Sequence, residues 1–258
     1  MKIKHDNKDE VHLEFSSVLD IKRWLDENEH IVTNRYDSHE NSFSFTGTEN
    51  WDEFIGIVDN GSDEIIDNIK IQSHKFADNL TDKYEITKDY KFDVYGQFFD
   101  VGMVLSGEPE SWVNPIEDDV KKQIEISVNA SYLNNIEHDT VIENASRIVG
   151  MILSLEKMGV ETKLLLNFRS NEIYSGNGKK VFMVSLVAKE YEQGVDYKKL
   201  SSLLHTSMFR RGVFRMREVV VGNKMDSYGT TSPLETDTLI YRSSSIDKLE
   251  RKLFGGIK

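Results

Sequence analysis

Apolar residues recur at helical spacing through Phe15, Val18, Leu19, Ile21, Trp24 and Leu25, behind serines able to cap a first turn. This spacing predicts a helix of about three turns. The next unit alternates like a short strand through Phe43 and Phe45. It turns helical after Thr48, with Trp51, Phe54, Ile55 and Val58 on one face, and Asp59-Asn60-Gly61 supplies a left-handed cap. A third helix is expected over 62–79. From Tyr84 to Phe99 the chain is rich in aromatic and β-forming residues, and the alternation of 90–100 predicts a strand or hairpin. Val101 to Glu110 reads as a short helix closed by a Gly-Glu-Pro turn.

The prolines are 109, 115 and 233, and the first two bracket Trp112, so 107–119 is the expected domain junction. Beyond it strands and helices alternate. Ile124 to Asn129 predicts a strand, Thr140 to Met158 a long amphipathic helix ending at Gly159, and Val160 to Phe168 a second strand. A turn at Ser175-Gly176-Asn177-Gly178 leads into the apolar strand Val181 to Ala188. A helix over about Tyr197 to Phe209 and a strand at Val219 to Val221 follow. Gly222 to Leu239 reads as a surface loop, Thr238 to Tyr241 as a final strand and Ser245 to Phe254 as a small amphipathic helix. The expected fold class is α/β, with a small α+β N-terminal half packed on a C-terminal open mixed sheet flanked by helices. The expected organisation is an α+β region over 1–110, an α/β core over 120–222 of Rossmann-like or von Willebrand A-like character, and a basic C-terminal extension over 223–258.

With 258 residues, 38% of them hydrophobic, the chain is long enough for a sizeable core. It lacks cysteine, which removes disulfides, thiolate metal sites and cysteine nucleophiles together and fits a cytoplasm. No signal core and no run of membrane-span length is present, so no membrane role is expected. The net charge of -12 repels nucleic acid over the surface as a whole. From Lys198 onward, however, twelve Lys and Arg face six Asp and Glu, a net +6 against -18 for the remainder.

That asymmetry directs attention to Arg210, Arg211, Arg215 and Arg217, four guanidinium groups within eight residues. Guanidinium forks match phosphate and carboxylate oxygens. With Lys198, Lys199 and Lys224 they form the candidate anion or nucleic-acid site, and Phe209, Phe214 and Tyr228 are available for stacking. The competing structural reading has the arginines pairing with the acidic N-terminal half. A second candidate lies where α/β sheets bind ligands, beyond a strand's carboxyl end. There Ser127, Asn129 and Ser131 resemble the Asp-x-Ser-x-Ser metal motif of von Willebrand A domains, but without its aspartate. No histidine spacing suits zinc, and neither a phosphate-cradling glycine loop nor a Gly-x-Ser-x-Gly elbow is present, so no cofactor, metal or catalytic residue is assigned.

Several segments together resemble an uncharacterised bacteriophage protein family known as a domain of unknown function. They are Phe45-Thr-Gly-Thr48-Glu-Asn-Trp51 with Asp59-Asn-Gly61, Gly102 to Trp112, Ile126 to Ser131, Ala145 to Glu161, and Leu203 to Phe214. The resemblance implies a phage-encoded protein with one integrated fold and carries no activity. It marks Met208, Arg210, Arg211 and Phe214 as shared features. The function expected is a non-enzymatic phage accessory protein in the host cytoplasm. It would assemble with itself or with a replication, transcription or virion component, and contact nucleic acid or an acidic protein partner through the basic C-terminal surface. The alternatives are an enzyme acting on a phosphate-bearing ligand at the strand ends of the core, and an acidic inhibitor of a host protein.

Overall fold

The computed structural model describes residues 2–7, 10–31, 43–83, 90–93, 98–99, 101–106, 112–115, 122–132, 135–173, 179–221, 230–231 and 238–255. Its centre is a seven-stranded mixed sheet, and the protein is α/β. In chain order the strands are β1 (Lys2–Asn7), β2 (Glu10–Phe15), then, after a separate small sheet, β6 (Gln123–Asn129), β7 (Glu161–Ile173), β8 (Lys179–Lys189), β9 (Thr230–Thr231) and β10 (Thr238–Leu239). In space they run β1-β2-β8-β7-β6-β10, with β9 paired to the far end of β7. β7 and β8 form the expected hairpin, closing at Ile173 opposite Lys179. β6 is parallel to β7, and β10 is parallel to β6. The small sheet joins β3 (Tyr90–Asp93) and β4 (Phe98–Phe99) antiparallel to β5 (Trp112–Pro115).

Side chains alternate across a strand, so Leu13, Phe15, Ile126, Val128, Leu164, Leu166, Phe168, Phe182, Val184 and Leu186, all buried, define one core face. Helices cover it. α1 (Val18–Asn28), α3 (Trp51–Asn60) and α4 (Asp63–Lys83) come from the N-terminal part, and α6 (His138–Lys157) and α7 (Tyr197–Leu204) from the C-terminal part. Between α3 and β2 lies one more short helix, α2 (Phe43–Thr46), and α5 (Val101–Ser106) adjoins the small sheet. α4 lies along α6 and packs tightly on it at Gly150, where a Cβ would stand 2.8 Å from the Phe76 ring and from the Ser73 carbonyl. The N-terminal and C-terminal elements thus share one hydrophobic cluster. The region expected as a layer packed on the sheet supplies two of its strands, because β2 pairs in parallel with β8 from Glu10–Val181 to Phe15–Leu186. Most of 107–119 lies outside the described residues.

Two local expectations are corrected. Phe43–Thr46 is a helical turn and not a strand; it stops at Gly47, whose φ of 74° ends the turn in the left-handed region. Val219–Val221 is the end of helix α8 (Phe214–Val221), which continues directly from a π-helical segment, Met208–Val213. The helical period there, Val213, Met216 and Val220, becomes visible only when Arg217, itself 2% exposed, is counted as an interior residue. The final helix, α9 (Ser243–Phe254), is placed as expected.

Candidate functional site

After α7 the chain becomes extended at His205 and then winds into the π-helical segment. Gly212 permits this close packing, since a Cβ there would lie 3.0 Å from the Phe54 ring and 3.2 Å from the Met208 sulfur. The winding drives the arginines inward, onto the N-terminal region and the sheet. Arg211, fully buried, donates from Nε to Thr48 Oγ1 at 2.7 Å and from Nη2 to the Thr48 carbonyl at 2.8 Å and Thr46 Oγ1 at 3.0 Å. Arg210 donates to the Phe45 carbonyl and lies over the Phe45 ring at 4.5 Å and the Tyr132 ring at 5.5 Å. Burial lowers the pKa of both guanidinium groups.

Arg215, also fully buried, donates from Nη2 to the carbonyls of Asn28 at 2.8 Å, Glu29 at 3.0 Å and Ile31 at 2.7 Å. It satisfies oxygens that the end of α1 leaves without helical partners. Its Nη1 is 3.5 Å from buried Glu218. Arg217 donates to Ser170 Oγ at 2.6 Å, beside the Phe182 ring. The four guanidinium groups expected on one anion-binding face are therefore placed inside the protein, on three segments: 45–48, 28–31 and β7. Phe214 packs between Phe45 and Phe209. Lys224 and Tyr228 lie outside the described residues.

Lys198 and Lys199 are placed differently. They open α7 and border a cavity of about 260 Å³, together with Ser17, Val18, Leu19 and Lys22 of the α1 start, Val58 and Asp59 of the α3 end, Asp196 and Ser202. Capping builds this corner. Ser17 Oγ accepts from Asp20 N at 3.2 Å, and Asp196 Oδ1 accepts from Lys199 N at 3.0 Å. Lys22 Nζ donates to both oxygens of Asp59 at 2.6 Å, which raises its pKa. Lys198 is exposed and Lys199 half-buried; burial lowers the pKa of Lys199, against the opposing pull of Asp196 and Glu190. Sequence reading named the two lysines but missed Lys22, because only the fold brings residues 17–22, 58–59 and 196–202 to one place.

At the carboxyl end of β6 the polar residues serve one another. Asn129 Oδ1 accepts from Ser131 N at 2.9 Å, Ser131 Oγ accepts from Arg169 N at 2.7 Å, and Ser127 Oγ accepts from Asn167 Nδ2 at 2.8 Å. Among the described residues no three His, Asp or Glu are grouped to hold a metal ion. Beyond the strand end sit two imidazoles that sequence spacing did not connect. The rings of His138 and His205 are 5.8 Å apart. His205 Nδ1 accepts from Ser207 N at 3.1 Å, which puts its proton on Nε2. His138 Nδ1 meets Thr206 Oγ1 at 2.8 Å, and that hydroxyl also accepts from Tyr132 at 3.2 Å. Burial lowers both histidine pKa values, that of His205 to about 4 with His138 adding repulsion. The pair is neutral at pH 7.

A family model described as "Domain of unknown function (DUF7192)" matches residues 4–251. The chain belongs to this family. Its match runs from within the first strand into the final helix. Neither a curated protein nor a solved structure matches the chain.

Proposed function

We propose that this member of the family is a phage-encoded accessory protein of the host cytoplasm that works by binding. It docks an acidic segment of a protein partner in the groove bounded by Lys22, Lys198 and Lys199. The position of Lys198 and Lys199 carries this reading. Of the expected anion-site residues that are described, these two reach the surface, and they flank a cavity with apolar walls at Val18, Leu19 and Val58. A carboxylate lodged there meets ammonium groups at one end and buries its stem against aliphatic carbon at the other. Lys199 is already partly desolvated, so forming the ion pair strips less water from it.

The test is recovery of the tagged protein from infected cells, with and without nuclease, beside the K198E/K199E variant. The expected result is a nuclease-resistant protein partner that the charge reversal abolishes. Recovery that depends on nucleic acid, or that K198E/K199E leaves unchanged, overturns this reading.

A further inference from the structure

The groove that carries the proposed function already holds an anion of the protein's own. Asp59, in the last turn of α3, lines the same cavity as Lys198 and Lys199, and both of its oxygens accept from Lys22 Nζ at 2.6 Å. The Lys22 and Asp59 side chains keep 30% and 35% exposure, so the pair faces solvent and contributes little to folding. A carboxylate in the last turn of a helix also meets the negative end of the backbone dipole, which makes this a costly place for an acid. The main consequence of Asp59 is electrostatic, and it falls on the groove.

Lys198 and Lys199 stand apart from that pair. Among the described residues neither makes an ion pair, and the neighbouring Asp196 accepts with its Oδ1 from the backbone N–H of Lys199. Over the whole lining three ammonium groups face two carboxylates, Asp59 and Asp196, a formal balance of one positive charge. A single carboxylate entering from a partner neutralises that balance. A dianion overshoots it, and its second charge meets Asp59 while Lys22 is already occupied. A cavity of about 260 Å³ holds the entering anion within one Debye length of Asp59, about 8 Å at physiological salt, so the repulsion is felt.

We propose that Asp59 is a specificity-determining residue of this groove, which admits one carboxylate on an aliphatic stem and turns away a phosphate dianion. The inference rests on the groove being the site for an acidic segment of a partner, and it names the side chain taken there, glutamate rather than phosphoserine. Lys22 and Asp59 act as one neutral unit. Lys198 and Lys199 supply the charge that holds the ligand, and Val18, Leu19 and Val58 receive its stem. Removing the Asp59 charge frees Lys22 as a third cationic donor and lifts the formal balance to two, which suits a dianion. Removing Lys22 as well restores the balance of one.

The test uses the full chain and the peptide Gly-Leu-Glu-Leu-Gly, with uncharged ends and a neutral fluorophore, beside its twin with phosphoserine in place of the glutamate. Phosphoserine carries close to two negative charges at neutral pH. By fluorescence polarisation the native protein is expected to bind the glutamate peptide about threefold more tightly than its twin. In D59N the glutamate peptide should tighten about threefold and the phosphoserine peptide about tenfold, which removes the preference, since the removed repulsion scales with ligand charge. D59N/K22Q should return the native ratio. A variant that merely disturbed packing would move both affinities together and leave their ratio alone. A native preference for phosphoserine, a ratio that D59N leaves unchanged, or one that D59N/K22Q does not restore overturns the proposal. Binding that persists with an unmoved ratio removes the role of Asp59 alone, whereas failure of both peptides to bind native protein and D59N alike removes the groove as a site for acidic chain as well.

Discussion

The two cationic regions of this molecule use positive charge in opposite ways. In the 210–217 segment four guanidinium groups are buried and spend their donors on carbonyls and hydroxyls of other segments. At the start of α7 two ammonium groups stand at a groove rim with apolar walls. The difference follows from the side chains themselves. A guanidinium spreads its charge over a planar fork that can satisfy several acceptors at once, so it tolerates burial where acceptors are arranged around it. An ammonium is compact and strongly hydrated, and it stays where water or an anionic ligand can reach it. A count of charge along the sequence cannot separate these uses; a count of acceptors around each group does.

Truncation of the interior arginines should have the largest effect. R215A removes the donor to three carbonyls at the end of α1, and R211A strips the Thr46–Thr48 turn of its cross-link. Each is expected to cost about 3 kcal/mol or more in urea unfolding, since buried acceptors lose a charged partner. A loss below about 1 kcal/mol would mean that the segment is more open than its burial indicates.

Next in size is the response to acid. His205 has a folded pKa of about 4 against 6.5 when unfolded, so between these values the unfolded chain binds more protons. Its contribution is complete above about pH 6.5 and is lost as the pH falls toward 4, by up to about 3 kcal/mol. His138, also depressed, acts in the same direction. H205N should flatten the dependence of urea midpoints on pH in this window, and an unchanged slope would assign it to other groups.

G61A should cost about 1–2 kcal/mol. Gly61 has a φ of 75°, and a Cβ would stand 2.5 Å from Ser201 Oγ and 3.0 Å from the Lys198 carbonyl. It probes the joint between α3 and α7 directly beneath the groove. The smallest stability effect belongs to K198E/K199E, within about 0.5 kcal/mol of native, because no packing or buried hydrogen bond of the protein is lost there. A loss comparable to that of R215A would erase the distinction between the two regions.

Much of the fold was legible in the sequence, and the misses share a cause. The amphipathic periods read over 15–25, 140–158 and 245–254 and the glycine at 61 marked helices that the structure contains, and the strands read over 160–168 and 181–188 pair antiparallel. The N-terminal hairpin was hidden because Lys2–Asn7 holds a single apolar residue, and in Glu10–Phe15 the buried Leu13 and Phe15 stand among charged neighbours, with Phe15 read into the helix that follows. The helix at 214–221 was hidden because its arginines were read as surface residues. The groove could not be read, since its members come from distant stretches: Lys22 meets Asp59 across 37 positions, and Ser202 meets the Ile57 carbonyl across 145.

The central claim is that the arginines are internal cross-links and the lysines are the exposed cations. Chemical modification of the native protein, with an arginine-selective dicarbonyl and an amine-selective acylating reagent, measures this directly when read by peptide mass spectrometry. Arg23, whose side chain is 70% exposed, serves as the internal standard. The account predicts that Arg210, Arg211, Arg215 and Arg217 resist modification while Arg23, Lys198 and Lys199 react. Modification of the 210–217 arginines at the rate of Arg23 would contradict it and return that segment to the surface.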